Sequence, residues 1–374
     1  MTKKVLVVLL SFCLCITVWS FETKAENIEL PVSAKAFVLM DPISGRILLE
    51  KNSEEKRAMA STTKIMTAII ALERGDLKSQ VKVSSKAASV GGSSFHLNSG
   101  EVLSLGNMLY GLLLPSGNDA AVAIAEHIGG TEENFVQMMN EKALELGALS
   151  THFKNPHGLD DPKHYTTAKD LALIARYAWN IYKFREIVQT KTKEIKEGIN
   201  PRQISNTNQL LWEFKGANGI KTGTTPNAGK CLVAAAYKNS FQLISVVLGT
   251  HNHFIDSHTL LDYGFNNYKL TPLIRKNKYC TTVSVQRGFI EDVGLVTKDD
   301  ISLPLIESEI VKFNLVVPKK IIAPVSKGEQ IGELQVYIGN DLAYSASLIA
   351  MKEVRIKKYN DILYKILRFW MEWE

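Results

Sequence analysis

Met59-Ala60-Ser61-Thr62-Thr63-Lys64-Ile65-Met66-Thr67-Ala68-Ile69-Ile70-Ala71-Leu72 is the stretch that organises this chain. After Lys64 it is apolar on nearly every side, which predicts a buried helix, and Gly75 ends it. A helix opening at Ser61 sets Ser61 and Lys64 on one face, because positions i and i+3 have Cβ atoms about 5–6 Å apart. A serine hydroxyl is a poor nucleophile until a neighbour takes its proton. An ammonium that is desolvated and held near other cations loses its proton more easily. The helix N-terminus adds a positive dipole end and free N–H groups. Ser-x-x-Lys therefore supplies nucleophile and base on one rigid element. Alone the pattern is weak, since ordinary composition produces roughly one or two such matches in a chain this long. Ser53-Glu54-Glu55-Lys56 and Ser79-Gln80-Val81-Lys82 share the spacing. The first lies in a charged run and the second in a polar, strand-like stretch, so neither lysine would be desolvated.

Two further clusters lie downstream. Ser116-Gly117-Asn118 follows Pro115, at which the helical pattern of residues 105–127 breaks into two helices. A hydroxyl and an amide at alternate positions can point into one cleft; the plainer reading is a polar loop with helix-capping residues. Lys221-Thr222-Gly223 opens a strand-like run. Glycine lets a ligand backbone approach closely, threonine offers a hydroxyl and lysine a fixed charge for an anion; the plainer reading is a solvated edge strand.

The surrounding elements are legible by period. Ala36–Met40 and Arg46–Glu50 read as two strands around a Pro/Ser/Gly turn. Residues 131–147 and 166–182 read as amphipathic helices, with Thr167 as N-cap and Asp170 where a capping box has Glu. Residues 218–250 read as neighbouring antiparallel strands of a well-covered sheet. From about residue 276 helices vanish and short alternating runs such as Thr282–Val285 and Leu334–Ile338 recur between turns, which predicts a small all-β domain. Beyond Lys352, Ile356, Tyr359, Ile362, Leu363, Ile366, Leu367, Trp370 and Trp373 recur at helical spacing among basic residues. That is the pattern of a helix lying in a membrane interface; docking on the chain's own β-domain is the alternative. The domain plan is thus a signal at 1–25, a main domain at 26–272, a β-domain at 273–352 and an amphipathic helix at 353–374.

The signal reading rests on Lys3 and Lys4, the apolar run Val5–Trp19, and the small residues around Thr23-Lys24-Ala25. An uncleaved N-terminal anchor is the other reading. Cleavage would remove three lysines and one glutamate and lower the net charge from +6 to +4. That mild excess, with no basic run interleaved with aromatics, points away from nucleic acid and suits an anionic membrane or wall. With 45 % hydrophobic and 22 % charged residues, the chain is a folded protein rather than a disordered one. Cys13 and Cys15 fall in the signal. Cys231 and Cys280 make neither a disulfide framework nor a zinc site. His152, His157 and His164 match no zinc spacing, so no metal is assigned.

The three clusters in this order, on helix start, inter-helix loop and strand, resemble the Ser-x-x-Lys, Ser-Asp-Asn, Lys-Thr-Gly set of the penicillin-binding proteins and serine β-lactamases, with Gly117 in place of the aspartate. Ser-Gly-Asn in the middle is similar to the low-molecular-mass serine D-alanyl-D-alanine carboxypeptidases. So are the flanks Met59–Ala68, Asn155-Pro156-His157-Gly158-Leu159, Asn206-Thr207-Asn208 and Gly219–Thr224. The resemblance covers about residues 30–270. It implies an α/β (α+β) fold, an antiparallel sheet flanked by helices in the β-lactamase/transpeptidase manner, followed by the β-domain and helix. It implies that Ser61 attacks the D-Ala–D-Ala carbonyl, Lys64 is its base, and Ser116 passes the proton to the departing D-alanine. Asn118 would orient Lys64 and the substrate amide. Lys221 would supply positive potential and bond to Ser116. Thr222, next to Gly223, would help bind the terminal carboxylate, and the N–H groups of Ser61 and Thr224 would form the oxyanion hole. The implied partners are the peptidoglycan stem peptide, β-lactams as covalent inhibitors and the outer face of the cytoplasmic membrane; no cofactor is implied.

One departure concerns the substrate carboxylate. Family members often carry an arginine just before the helix that here begins near Asp256, where this chain reads His251-Asn252-His253-Phe254-Ile255. Three rival readings share parts of the pattern: a serine β-lactamase, a transpeptidase, and a non-catalytic muropeptide-binding wall protein. The class A deacylating motif Glu-x-x-Leu-Asn is absent between Ser116 and Lys221.

Overall fold

The computed structural model describes residues 30–199, 201–361 and 368. The signal segment lies outside these residues. At the centre is a five-stranded antiparallel sheet of β1 (Ala36–Met40), β2 (Ile47–Lys51), β3 (Ala217–Thr225), β4 (Gly229–Lys238) and β5 (Phe241–Thr250), in the order β2-β1-β5-β4-β3. Strands β4 and β5 are continuous apolar runs because both faces are covered. One face, with Val38, Cys231, Val233, Ile244 and Val246, belongs to the main helical core. The other receives the helix His253–Asn267, packed so closely that a Cβ at Gly264 would stand 2.5 Å from the Leu243 side chain.

The longer helices are α1 (Lys64–Arg74), α2 (Leu105–Leu113), α3 (Asn118–Gly129), α4 (Glu132–Glu145), α5 (Ala168–Asn180) and α6 (His253–Asn267). α1 has eight buried residues, from Lys64 to Ala71, as an all-round apolar pattern requires. It begins three residues later than expected. Ala60–Thr63 is a tight 3-10 turn, entered through Ala60 at φ +49°. α2 and α3 flank the break at Pro115, and Thr167 caps α5 by accepting from the Asp170 N–H at 3.0 Å. Asp170 does not complete a capping box, because its carboxylate accepts from Ser150 N–H and the Thr151 hydroxyl, both at 2.8 Å.

The β-domain comprises β6 (Lys269–Ile274), β7 (Tyr279–Gln286), β8 (Asp292–Thr297), β9 (Ile301–Leu305), β10 (Val311–Val316), β11 (Lys320–Ile322), β12 (Gln330–Ile338) and β13 (Asp341–Ala350). Six of these form a sheet in the order β10-β12-β13-β8-β7-β11, and β6 pairs with β9. The expected boundary at residue 273 therefore shifts to about 268, since β6 already belongs to the second domain. At the other end Val354 bridges Val325 and is fully buried, and Ile356 bridges Gly288. The chain from 353 to 358 is thus the last part of the β-domain and not the start of the expected helix. Of the rest of that segment, 362–367 and 369–374 lie outside the described residues. The two domains meet at Arg46. Its guanidinium donates to the Pro304 carbonyl and the Glu309 carboxylate and lies 5.6 Å from the Tyr268 ring centre. Arg176 holds the same β1–β2 turn through the Pro42 and Ile43 carbonyls, at 2.8 and 3.0 Å.

Candidate active site

A 3-10 turn has three residues per turn, so positions i and i+3 eclipse. That places Ser61 directly beside Lys64: the Lys64 Nζ donates to Ser61 Oγ at 2.9 Å. Thr62 and Thr63 hold the turn by donating to the Met59 and Ala60 carbonyls, at 2.6 and 2.8 Å. Lys64 is fully buried, and its two other Nζ hydrogens go to Asn118 Oδ1 and the His157 carbonyl, both at 2.7 Å. Burial, and then the nearby Lys221 charge, hold its pKa well below the usual lysine value. Three hydrogens meet three acceptors in the charged form. When one proton is lost, the two fixed acceptors keep the remaining hydrogens, and the lone pair is left facing Ser61. The competing pairs lack this setting: Lys56 and Lys82 are exposed.

Asn118 opens α3 and is fixed on both sides. Its N–H donates to the Ser93 carbonyl at 2.7 Å and its Nδ2 to the Gly91 carbonyl at 2.6 Å. Beside it, buried Asp119 accepts from the Phe95 and Leu97 N–H groups and the Ser94 hydroxyl, pinning the 91–97 loop. Ser116 adopts φ +68°, an uncommon conformation for a residue with a Cβ. Its Oγ is buried and has no hydrogen-bond partner among the described residues. Such strain and such an orphan hydroxyl each cost about 1–3 kcal/mol. The expected bond from Lys221 to Ser116 is not made. Lys221 Nζ donates instead to the Thr222 carbonyl at 2.9 Å. Lys221 is buried, and desolvation lowers its pKa to about 7.

Strand β3 is brought against the turn by what Gly223 lacks. A Cβ there would lie 2.8 Å from Ser61 N and 3.0 Å from both Thr62 N and Ala60 Cβ. Thr224, the next residue, is exposed, and Thr222 is half-buried with its hydroxyl 2.6 Å from that of Thr207. Asn206 and Asn208 staple this side. Asn206 Nδ2 donates to the Val188 and Thr190 carbonyls, and Asn208 Nδ2 donates to the Gly219 carbonyl on β3. The structure therefore joins Ser61, Lys64 and Asn118 by direct hydrogen bonds, sets Gly223 against the Ser61 turn and brings the Lys221 charge near Lys64, while Ser116 is linked to them through its chain neighbour Asn118.

The histidines act as loop braces. His164 Nδ1 accepts from Lys154 N–H at 2.9 Å, so its Nε2–H is the donor to Thr63 Oγ1, 2.7 Å away. Burial lowers its pKa to about 4 and that of His157 to about 3. Among the described residues no group of His, Cys, Asp or Glu is arranged to hold a metal ion. The sequence reading assigned no role to Thr207, Asp119 or the His157 carbonyl. The motifs Asn-Thr-Asn and Asn-Pro-His-Gly-Leu marked two of these positions, but a backbone carbonyl has no residue identity to read.

A half-buried serine bonded to a buried lysine, an orphan serine and a Lys-Thr-Gly strand at the edge of a helix-flanked sheet define a penicillin-binding type of serine enzyme. The D-alanyl-D-alanine carboxypeptidase (peptidase S11) family profile matches residues 22–252, and the profile of the penicillin-binding protein 5 C-terminal domain matches 268–355. The chain is 34 % identical over 358 residues to the D-alanyl-D-alanine carboxypeptidase DacF of Bacillus subtilis, covering 92 % of each. It superposes on penicillin-binding protein 5 from Haemophilus influenzae with a TM-score of 0.75 at 31 % identity, covering 87 % of this chain and 99 % of that one. The Streptomyces K15 DD-transpeptidase matches with a TM-score of 0.61 at 32 % identity, covering 64 % and 99 %. The chain belongs to the serine-type D-alanyl-D-alanine carboxypeptidase family.

Gly223→Ala tests the close approach of β3. Two of the three atoms in the way are backbone, so the Ser61 turn has to shift. A misplacement of about 1 Å costs about 100-fold in rate. Covalent labelling by a fluorescent penicillin is expected to slow by about that factor, with a melting temperature near that of the parent. Labelling at the parent rate would refute the contact.

Proposed function

We propose that this chain removes the terminal D-alanine from peptidoglycan pentapeptides through an acyl-enzyme on Ser61. The observation that carries the reading is the fully buried Lys64 ammonium bonded to Ser61, Asn118 and His157. In the neutral form, Lys64 takes the Ser61 proton as Oγ bonds to the substrate carbonyl carbon. The N–H groups of Ser61 and Thr224 hold the oxyanion, a type of interaction that contributes about 3–4 kcal/mol per donor. The unpartnered Ser116 hydroxyl carries a proton to the amine of the departing D-alanine as the C–N bond breaks. Lys221 supplies positive potential and Thr222 a hydroxyl for the terminal carboxylate. Water then attacks the ester, releasing the shortened peptide and restoring Ser61. β-Lactams would be trapped on the same serine, because they imitate the dipeptide and deacylate slowly.

This substrate places the protein outside the cytoplasm, in agreement with the signal-like residues 1–25. No described helix is long and apolar enough to cross a membrane. The basic, tryptophan-bearing segment beyond Lys358 is read as a contact with the outer face of the cytoplasmic membrane. Because Val354 is a buried β-domain residue, the informative truncation ends at Lys358. Loss of membrane sedimentation with a retained fold is expected; an unchanged membrane fraction would sink the anchor.

Two measurements address the chemistry. Release of D-alanine from a pentapeptide ending in D-Ala-D-Ala is expected from the parent and absent in Ser61→Ala; equal release by both would refute Ser61 as nucleophile. The pH profile of kcat/KM reports free-enzyme groups. The base must be neutral, so the rate should rise as pH climbs through the lowered pKa of Lys64. Lys221 must be charged, so the rate should fall above about 7. Lys221→Arg keeps its charge at all working pH and is expected to abolish that alkaline limb. A limb left in place would belong to another group.

A further inference from the structure

A peptide ending in D-Ala-D-Ala presents a carboxylate, and a carboxylate leaving water needs a cation or several donors. The cleft's own lysines are committed. Lys64 spends three hydrogens on three acceptors, and Lys221 is buried and donates to the Thr222 carbonyl. His253, at the position where the sequence lacks an arginine, is held neutral: burial and the neighbouring Lys230 charge lower its pKa to about 4. Its Nδ1 is buried and unpartnered. Arg57, near the same end of the sheet, donates to Glu55 at 2.7 Å.

Lys230 is different. In the β3–β4 ladder Thr224 faces Lys230 and Thr222 faces Leu232. Antiparallel partners share a face, with Cβ atoms about 4.5–5.5 Å apart, so Lys230 rises on the face that carries Thr222 and Thr224. On its other side it faces Thr250, which leads into α6 and His253. Lys230 is exposed, and among the described residues its side chain has no ion-pair or hydrogen-bond partner. The carboxylates beside His253 and Thr225 are occupied. Asp256 accepts from the Ser33 N–H and hydroxyl and from Thr250, and Asp160 accepts from Thr225 Oγ1 and Asn227 N–H.

We propose that Lys230 is the cation that recognises the substrate's C-terminal carboxylate, acting beside the Thr222 and Thr224 hydroxyls. The assignment rests on the carboxypeptidase reading and adds its specificity-determining charge. The test compares an N-acylated tripeptide ending in D-Ala-D-Ala with its C-terminal amide, using the whole chain. Lys230→Gln is expected to lower the acid-over-amide ratio of kcat/KM by about 10- to 100-fold, the size of a charge-assisted hydrogen bond. Lys230→Arg should restore most of it. Because the side chain is exposed, neither variant should unfold. An unchanged ratio, or equal losses on acid and amide, would overturn the proposal. If the parent releases no D-alanine, the functional reading fails by itself. Lys230 is then judged on the acylation rates of benzylpenicillin and its methyl ester, where the same acid-selective loss is expected and its absence is refuting.

Discussion

A fully buried ammonium sets the terms for this molecule. Taking Lys64 out of water costs several kcal/mol even after relaxation, and the cost is tolerable only where each N–H finds an acceptor. Its three acceptors come from three separate places: the 3-10 turn, the start of α3 and the loop that carries His157. Those segments must therefore converge to within hydrogen-bond reach of one atom, and other contacts hold them there. Asn155 Oδ1 accepts from the His157 and Gly158 N–H groups, Thr67 donates to the Pro156 carbonyl, and Asp119 pins the loop beneath Asn118. Much of the polar burial in the main domain can be read as bracing for this one charge.

The same convergence concentrates backbone strain. Ala60, which precedes Ser61, has φ +49°, and Ser116 itself has φ +68°. Gly158 lies so close behind the turn that an added Cβ would overlap the Ala60 carbonyl. Strained residues persist where the surroundings over-determine them. Here the surroundings are a helix buried on every side and a sheet covered on both faces, which leaves the turn no room to relax.

Most of the architecture was legible because it follows period. The apolar run after Lys64, the break at Pro115, the Thr167 cap and the strands of 218–250 each carry a local signal, and each is found where that signal lies. What escaped was set by tertiary contact. The start of α1 moved to Lys64 because the turn must eclipse Ser61 and Lys64. The β-domain begins earlier and ends later than its composition suggested, because Lys269–Ile274 and Val354 are defined by their partners across a ladder. In the site, side chains within motifs could be named, but not the His157 carbonyl or the Thr207 hydroxyl, which enter through the fold. The expected Lys221–Ser116 bond is likewise replaced by a local one, because the Lys221 ammonium takes the carbonyl of its own neighbour Thr222.

The distribution of positive charge then follows from depth. Lys64 and Lys221 are both buried, and the Lys221 charge adds to burial in driving Lys64 toward the neutral form that a base requires. Lys221 keeps part of its charge near neutral pH but has no hydration to spare. A substrate carboxylate bound deep beside it would raise the affinity of both lysines for protons and work against the base. A cation at the rim, on the strand next to Thr224 and still in water, neutralises the carboxylate without that penalty. On the proposed mechanism, the base, the buried potential and the rim charge sit on α1, β3 and β4, so that deprotonating a serine and binding an anion need not compete at one pH.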